Sequence, residues 1–588
     1  MGHGAAKRHE NQAEPACPGA ALSLRRTAPA LRLTVPDTSG YARGSLRAVD
    51  CYLLTAILAV LLAWPLRSPP IATHGEAREG LVVQDIVRND HWILPYRNGE
   101  LPSKPPLFHW LAAMVAETFG LSDVTVRLPS ALAAWAMALA TFALGVTLGG
   151  QVAGWLAAGV LLGTHGFWKS AWEARVDMLF AACITLAIAG FFRWYSTASR
   201  VARAGCYLAT ACAVLAKGPA GALLPALVIL VFLAREDRLG RWCERTGGAR
   251  GPLPGTGFAT ALRCLWSWPL AAVVLVVDLG WYGLAYRAGG EQFLAVQLLR
   301  ENLDRFVGRG ISGQHGGHPL FFLAGHLAID LLPWSLVLAW AALRWLRGER
   351  EDAAGRLLHA WWIVILGFFT LAFGKRSVYL LPLYPAIALL AGRALAVALA
   401  AAPDASHLLG VVPVPGFVRR AFPARPGLAL AAIVVALFDL VLAGTSQAVR
   451  EHVVRRKSLV SFARAVESQV PSTAALYADP GIAGTDLQVL AYRLNRAIPR
   501  APARADVRPA GAERVYCLVP AAKSDDLVRA SYQRLAVSAR RGVEVALMLA
   551  PLDLDCARLP AAVAADRDHR RRVRMQTTRT TDPLRLAR

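Results

Sequence analysis

LPSALAAWAMALATFALGVTLGGQVAGWLAAGVLLGTHGFW, residues 128–168, carries no charged side chain over 41 positions. A bilayer core is crossed by about 20 helical residues, so this stretch is long enough for two crossings. A helical pair turning at Gly149-Gly150-Gln151 is predicted. The pattern recurs on both sides of it. CYLLTAILAVLLAWPL runs uncharged from Cys51 to Leu66 behind Arg43 and Arg47, with no small-residue cleavage site after it, and reads as an uncleaved first span. Further spans are read at 178–192, 204–216, 219–234, 265–286, 319–343, 357–374, 379–401 and 427–449, for about eleven in all.

Composition agrees. The 588 residues are 55% hydrophobic and 18% charged, against about 25% charged in soluble chains, and mean hydropathy is +0.39. Disorder, collagen and a small disulfide scaffold are excluded on these figures. The fold class is an all-α polytopic membrane bundle of about 11 helices with a small C-terminal α/β domain. Residues 1–48 read as a disordered tail, 49–449 as the membrane domain and 450–588 as the soluble domain ending in a basic tail. Of nine cysteines, Cys51, Cys183, Cys206 and Cys212 fall in apolar segments, while Cys517 and Cys556 are the candidates for a disulfide.

A net charge of +24 raises the question of nucleic acid. No zinc-finger spacing or RNA-binding aromatic motif is present, so no nucleic-acid partner is expected. The excess lies largely in the termini and in alternate loops, where arginine signals topology. Arg43 and Arg47, Arg193 to Arg203, the arginines from Arg235 to Arg263, Arg344 to Arg356, and Arg419 to Arg425 all fall on one side. With the N-terminus cytoplasmic, segments 67–127, 169–177 and 287–318 and the positions around Lys217 and Lys375 lie outside. These segments hold the unusual polar residues, and the C-terminal domain shares their side.

The first outer loop reads THGEAREGLVVQDIVRNDHWILPYRNGELPSKPPLFHWL, residues 73–111. GEAREGLVVQDIVR has the amphipathic pattern of a helix lying on the membrane surface. Glu76 and Arg78 sit just past the first span, and Lys104 precedes two prolines that give a rigid entry to the next apolar helix. Taken singly, these could be snorkelling cations and a solvated acid. Asp177 in SAWEARVDMLFAACITLAI, Lys217 in VLAKGPAGALLPALVIL, and Lys375 with Arg376 in LAFGKRSVYLLPLYPAIALL interrupt apolar sequence. Ionisable groups at membrane depth cost about 2.5–3.5 kcal/mol on the insertion scale and mark function or structural pairing. The loop RENLDRFVGRGISGQHGGHPLFF adds Glu301, His315 and His318; the two histidines could ligate a divalent metal, but two are a weak signal and hydrogen bonding at the membrane surface is the favoured role.

These motifs, in order over residues 50 to 400, resemble the polyprenyl-phosphate-sugar glycosyltransferases of the GT-C superfamily, nearest the aminoarabinose (lipid A) transferases, relatives of the protein O-mannosyltransferases. The resemblance implies a helical bundle under surface helices, a sugar donor on undecaprenyl phosphate, a lipid or glycan acceptor in the cell envelope, and residence in the inner membrane, within the lipid bilayer. It implies catalytic roles for Glu76 and Asp177, donor-phosphate binding by Arg78, Lys104, Lys217, Lys375 and Arg376, and a possible divalent metal at His315 and His318, with no cofactor required. Two positions depart from the family. Gly75 stands where an aspartate is common, and Ser103 where an acid commonly precedes Lys-Pro-Pro. The rival readings are a secondary transporter, for which internal repeats are expected and none is seen, and a catalytically inactive assembly factor of the same fold.

Overall fold

The computed structural model describes residues 46–67, 69–235, 266–308, 318–346, 351–401, 407–408, 412–421, 426–501, 514–529, 532–538 and 545–550. The N-terminal tail, the arginine-rich stretch 236–265, His315, Cys556 and the basic C-terminal tail lie outside these residues.

The bundle begins with α1 (Ala48–Arg67) and reaches α4 (Asp123–Leu162) after two outer helices, α2 (His74–Asn89) and α3 (Leu107–Phe119). α4 contains the hairpin expected from its length. Gly150 takes φ 82°, ψ 178° and breaks the helix there, a conformation that costs glycine little and other residues much. The two halves then pack so closely that a Cβ on Gly145 would stand 2.8 Å from the Gly154 Cα. α5 (His165–Ala171), α6 (Val176–Thr197), α7 (Arg200–Lys217) and α8 (Ala220–Ala234) follow.

α9 (Trp268–Leu294) does not stop at Tyr286. It continues as a π-helix, Ala295–Asp304, so most of the described part of the expected 287–318 loop is helical. The eighth expected span is two helices, α10 (Phe322–Asp330) and α11 (Trp334–Leu346). Pro333 stands at the break, where proline has no N–H to donate and its ring crowds the preceding turn. α12 (Ala353–Leu371) leads to a 3₁₀ segment, Ser377–Leu383, and α13 (Tyr384–Ala401). After a two-residue ladder between β1 (His407–Leu408) and β2 (Val412–Pro413), α14 (Pro426–Lys457) closes the bundle and runs past Val449. Among the described residues, seven helical stretches are long and apolar enough to cross a membrane, one of them the folded-back α4. The chain is thus a multi-pass membrane protein.

The two ends of the bundle differ. At one end Asp50 accepts from Gln151 and Trp155, and Arg393 pairs with Asp352 while its side chain packs beside Gly149. The other end carries α2, α3, the 172–175 loop, Lys217 and Lys375. Above it lie α15 (Val460–Gln469), α16 (Gly484–Arg493) and a mixed sheet of β3 (Ala475–Ala478), β4 (Val515–Pro520), β5 (Gln533–Ser538) and β6 (Val545–Leu549). The sheet order is β3-β4-β6-β5, with β3 parallel to β4 and the other pairs antiparallel. Cys517 on β4 is disulfide-bonded.

This unit is seated on α2. Gly80 faces the Tyr492 ring, which a Cβ at position 80 would approach to 2.4 Å. Gln84 donates to the Tyr492 carbonyl at 3.0 Å, and Asn98 exchanges hydrogen bonds with Ile498. The Tyr492 hydroxyl and Arg493 both donate to Asp123 at the start of α4, where a carboxylate also meets the positive end of the helix. The outer α/β unit therefore holds the surface helix from above while the bundle holds it from below.

Candidate active site

α2 positions the first set of charges. Thr73 caps it, accepting from the Glu76 amide at 3.4 Å, and the apolar face Ala77, Leu81, Val82 and Ile86 is buried. That places Glu76 and Glu79 in the interior. Glu76 is 1% exposed and meets Arg127, itself 0% exposed, through two hydrogen bonds of 2.7 and 3.1 Å. Its Oε1 also accepts from the Ala174 amide at 3.2 Å and Arg450 at 3.4 Å. Burial alone would raise this carboxyl, but Arg127, Arg450 and the Ala174 amide outweigh it and hold it below the usual value. Arg127 Nη1 donates to the carbonyls of Leu66 and Pro69, so four of its five N–H groups have acceptors among these partners.

Glu79, one turn on, accepts from Arg78 Nε at 2.9 Å and pairs with His109 Nε2 at 2.9 Å. Burial pushes this carboxyl up, and the Arg78 charge and the His109 bond hold it well below the usual range. The Glu79 charge, and more weakly that of Glu301, favours the Arg78 cation.

A second set gathers at the start of α6 and the end of α7. Lys217 donates to Asp177 Oδ1 at 2.6 Å, and Arg175 Nε to Asp177 Oδ2 at 3.2 Å. The Lys217 ammonium also lies 4.9 Å from the Phe180 ring centroid and 5.0 Å from that of Tyr379, within the range where a cation is attracted to an aromatic face. Arg376 adds positive charge near Asp177.

A third contact brings distant segments together. Lys104 Nζ lies 3.1 Å from Glu301 Oε2 on the π-helix. Gln297, one turn before, donates to the carbonyls of Pro102 and Lys104 and fixes the approach to the prolines. Lys104, Lys217 and Glu301 line a cavity of about 360 Å³ whose other walls include Phe180, Phe306, Phe368 and Tyr379. It combines two ammonium groups with aromatic and aliphatic walls, an arrangement suited to an amphiphile with an anionic head.

Of the residues singled out in the sequence, Lys104 and Lys217 line this cavity, and Asp177 sits directly behind Lys217. Arg78 is paired with Glu79 and feels the charge of the cavity-lining Glu301. Glu76 lies deeper, in the pair with Arg127. Lys375 is buried, with Nζ 3.4 Å from the His318 carbonyl, on the loop that includes the cavity-lining Gly374. The His318 ring stacks on Phe322 at 4.0 Å. His315 lies outside the described residues, and among the described ones no cluster of three or more His, Cys, Asp or Glu side chains is placed to hold a metal. Ser103 itself supplies no carboxylate, and the one beside Lys104 is that of Glu301.

Sequence reading did not single out Glu79, His109, Glu173, Arg175, Arg450 or the pairing of Arg127. Glu79 and His109 are 30 positions apart, and Arg127 and Glu76 are 51 apart. The available signal was weak: charged residues set among apolar ones in stretches already read as outer loops.

Residues 103–249 match the family described as dolichyl-phosphate-mannose-protein mannosyltransferase. An undecaprenyl phosphate-α-4-amino-4-deoxy-L-arabinose arabinosyl transferase of Shewanella sediminis is 25% identical over 56% of this chain and 57% of its own length. The corresponding transferase of Pseudomonas aeruginosa PAO1 is 28% identical over 59% and 60%. The chain thus spans about three fifths of the curated relatives it matches. The crystal structure of ArnT from Cupriavidus metallidurans bound to undecaprenyl phosphate superposes with a TM-score of 0.65 over 86% of this chain and 98% of that one, at 19% identity. The structural likeness shows a shared fold, and the sequence relatives bear out the resemblance to aminoarabinose transferases.

Proposed function

We propose that this chain is an inner-membrane glycosyltransferase that moves a sugar from a polyprenyl phosphate, undecaprenyl phosphate in the relatives named above, to a cell-envelope acceptor. The observation that carries this reading is the cavity shared by Lys104 and Lys217. A lipid-linked sugar phosphate has an anionic head on an apolar chain, and this cavity offers cations at one level and Phe and Tyr rings at another. In the reaction, an acceptor oxygen attacks the anomeric carbon and the bond from that carbon to the phosphate oxygen breaks. The pair of electrons leaves with the lipid phosphate. Cations already in place stabilise that developing charge more in the transition state than in the ground state. We assign this task to Lys104 and Lys217, with Arg78, Lys375 and Arg376 adding to the positive field.

Asp177 holds both Lys217 and Arg175 in position, and Glu76 ties α2 to α4 and α14. In this reading the site faces the periplasm, with the N-terminus cytoplasmic and the C-terminal unit outside, the orientation that the loop arginines support. The test is transfer from an undecaprenyl-phosphate-linked aminosugar to purified lipid A by the protein reconstituted in liposomes. Transfer that disappears in Lys104→Ala protein supports the reading. Unaltered lipid-linked donor after incubation with folded wild-type protein would overturn it.

A further inference from the structure

Three carboxylates act on Arg175, those of Asp177, Glu173 and Glu79, and a fourth, Glu76, acts on Glu173. Three of the four are committed. Glu76 binds two arginines and an amide, Glu79 an arginine and a histidine, and Asp177 an arginine and a lysine. Glu173 differs. Among the described residues its one ion-pair contact is Arg175 Nη1, at 4.0 Å, too long for a hydrogen bond. Its side chain is 21% exposed, against 1–6% for the other three.

The backbone around it is held firmly. The Trp172 carbonyl accepts from Arg450 at 2.9 Å, the Ala174 amide donates to Glu76 at 3.2 Å, and Arg175 is bonded through both its amide and its carbonyl to the Ser130 hydroxyl. Glu173 therefore projects from a fixed loop with its carboxylate lightly engaged, the arrangement of a group placed for an incoming partner. Arg175 connects it to the cavity: the guanidinium next to Glu173 donates to Asp177, and Asp177 receives Lys217. Gly75 keeps this layer compact, since a Cβ there would stand 2.8 Å from Arg175 Nη1.

We infer that Glu173 is the proton acceptor for a hydroxyl-bearing acceptor substrate, a role that rests on the glycosyltransfer reading above. The acceptor O–H gives its proton to the Glu173 carboxylate as its oxygen bonds to the anomeric carbon, and the carbon–oxygen bond to the lipid phosphate breaks. Glu173 ends protonated, and the phosphate leaves with the electron pair toward Lys104 and Lys217. The groups facing Glu173 are Glu76 from α2, Lys169 from α5, Arg175 from its own loop and Arg450 from α14. Burial, followed by the Glu76 charge, raises the Glu173 carboxyl, against the pull of the three cations. The more tightly paired Glu76 and Glu79 are shifted the other way and make weaker bases.

The test uses reconstituted full-length protein, undecaprenyl-phosphate-linked aminosugar as donor, and two acceptors: lipid A and dephosphorylated lipid A, which offers hydroxyls alone. Wild-type protein is expected to glycosylate both. Glu173→Gln should lower turnover about 10²–10⁴-fold, flatten the low-pH limb of the rate profile and leave binding of undecaprenyl phosphate unchanged, with partial activity in Glu173→Asp. Wild-type turnover in Glu173→Gln, parallel loss of turnover and undecaprenyl phosphate binding, or transfer confined to phosphorylated lipid A would each overturn the inference while leaving glycosyltransfer standing. No transfer by the wild-type protein to either acceptor would remove both.

Discussion

Lys104 and Glu301, 197 positions apart, meet at 3.1 Å on the wall of the cavity. The pair joins the Pro-Pro entry of α3 to the π-helix after α9. A carboxylate on Lys104 competes with any phosphate for the same ammonium. Glu301→Gln is therefore expected to bind undecaprenyl phosphate more tightly than wild type. Lys104→Ala is expected to lose binding and to lower turnover about 10²–10³-fold, with Lys104→Arg intermediate. Equilibrium binding of the lipid phosphate to purified protein, together with turnover in liposomes, checks both.

Glu76 and Arg127 form a buried pair whose two members have little access to water. Removing one member leaves the other charged and uncompensated, which costs about 3–5 kcal/mol. Glu76→Gln should lower the unfolding midpoint in detergent markedly, and Glu76→Gln with Arg127→Met should recover part of the loss. Equal midpoints for wild type and Glu76→Gln would remove the anchoring role assigned to this acid.

Glu79 supplies a pH dependence. Its folded-state pKa is held well below the ordinary 4.5, so it binds fewer protons folded than unfolded near that value. Its contribution to stability is complete above the unfolded pKa and is lost as pH falls through the folded one. Thermal unfolding measured from pH 7 down to pH 3 should show the midpoint declining below about pH 4.5. Glu79→Gln should lower the midpoint at pH 7 and make the decline shallower.

Much of the bundle was legible because its signals are local. Residues 128–168 exceed one bilayer crossing, and Gly150 supplies the turn where a hairpin needs one. The break at Pro333 was not anticipated, since an apolar run looks the same whether or not its middle is helical. The site was legible only as separate charges. Lys104, Lys217 and Asp177 stood out against apolar surroundings, but the Lys217–Asp177 pair depends on how α6 packs against α7. Gly75 drew attention as a missing acid; the nearby Glu173 did not, because its only mark in the sequence is one more charge in a polar loop.

Gly80 gives a prediction about the outer unit. An alanine there would press its Cβ into the Tyr492 ring, which is buried and tied through its hydroxyl to Asp123. Overpacking of this kind costs about 1–3 kcal/mol. Gly80→Ala should increase protease cleavage between α14 and β3, and Gly80→Ala with Tyr492→Leu should reverse the change. Cleavage indistinguishable from wild type in the single variant would show that the ring moves aside.

Arg450 sits near the end of α14, a helix that runs from Pro426 to Lys457. Its guanidinium grips the carbonyls of Pro65 and Trp172 as well as Glu76. Tilting the last span by a few degrees would thus drag the end of the first span and the loop bearing Glu173 along with it. The inclination of that helix in the bilayer and the placement of the outer carboxylates are one mechanical coordinate, and the thickness of the surrounding lipid acts on both together.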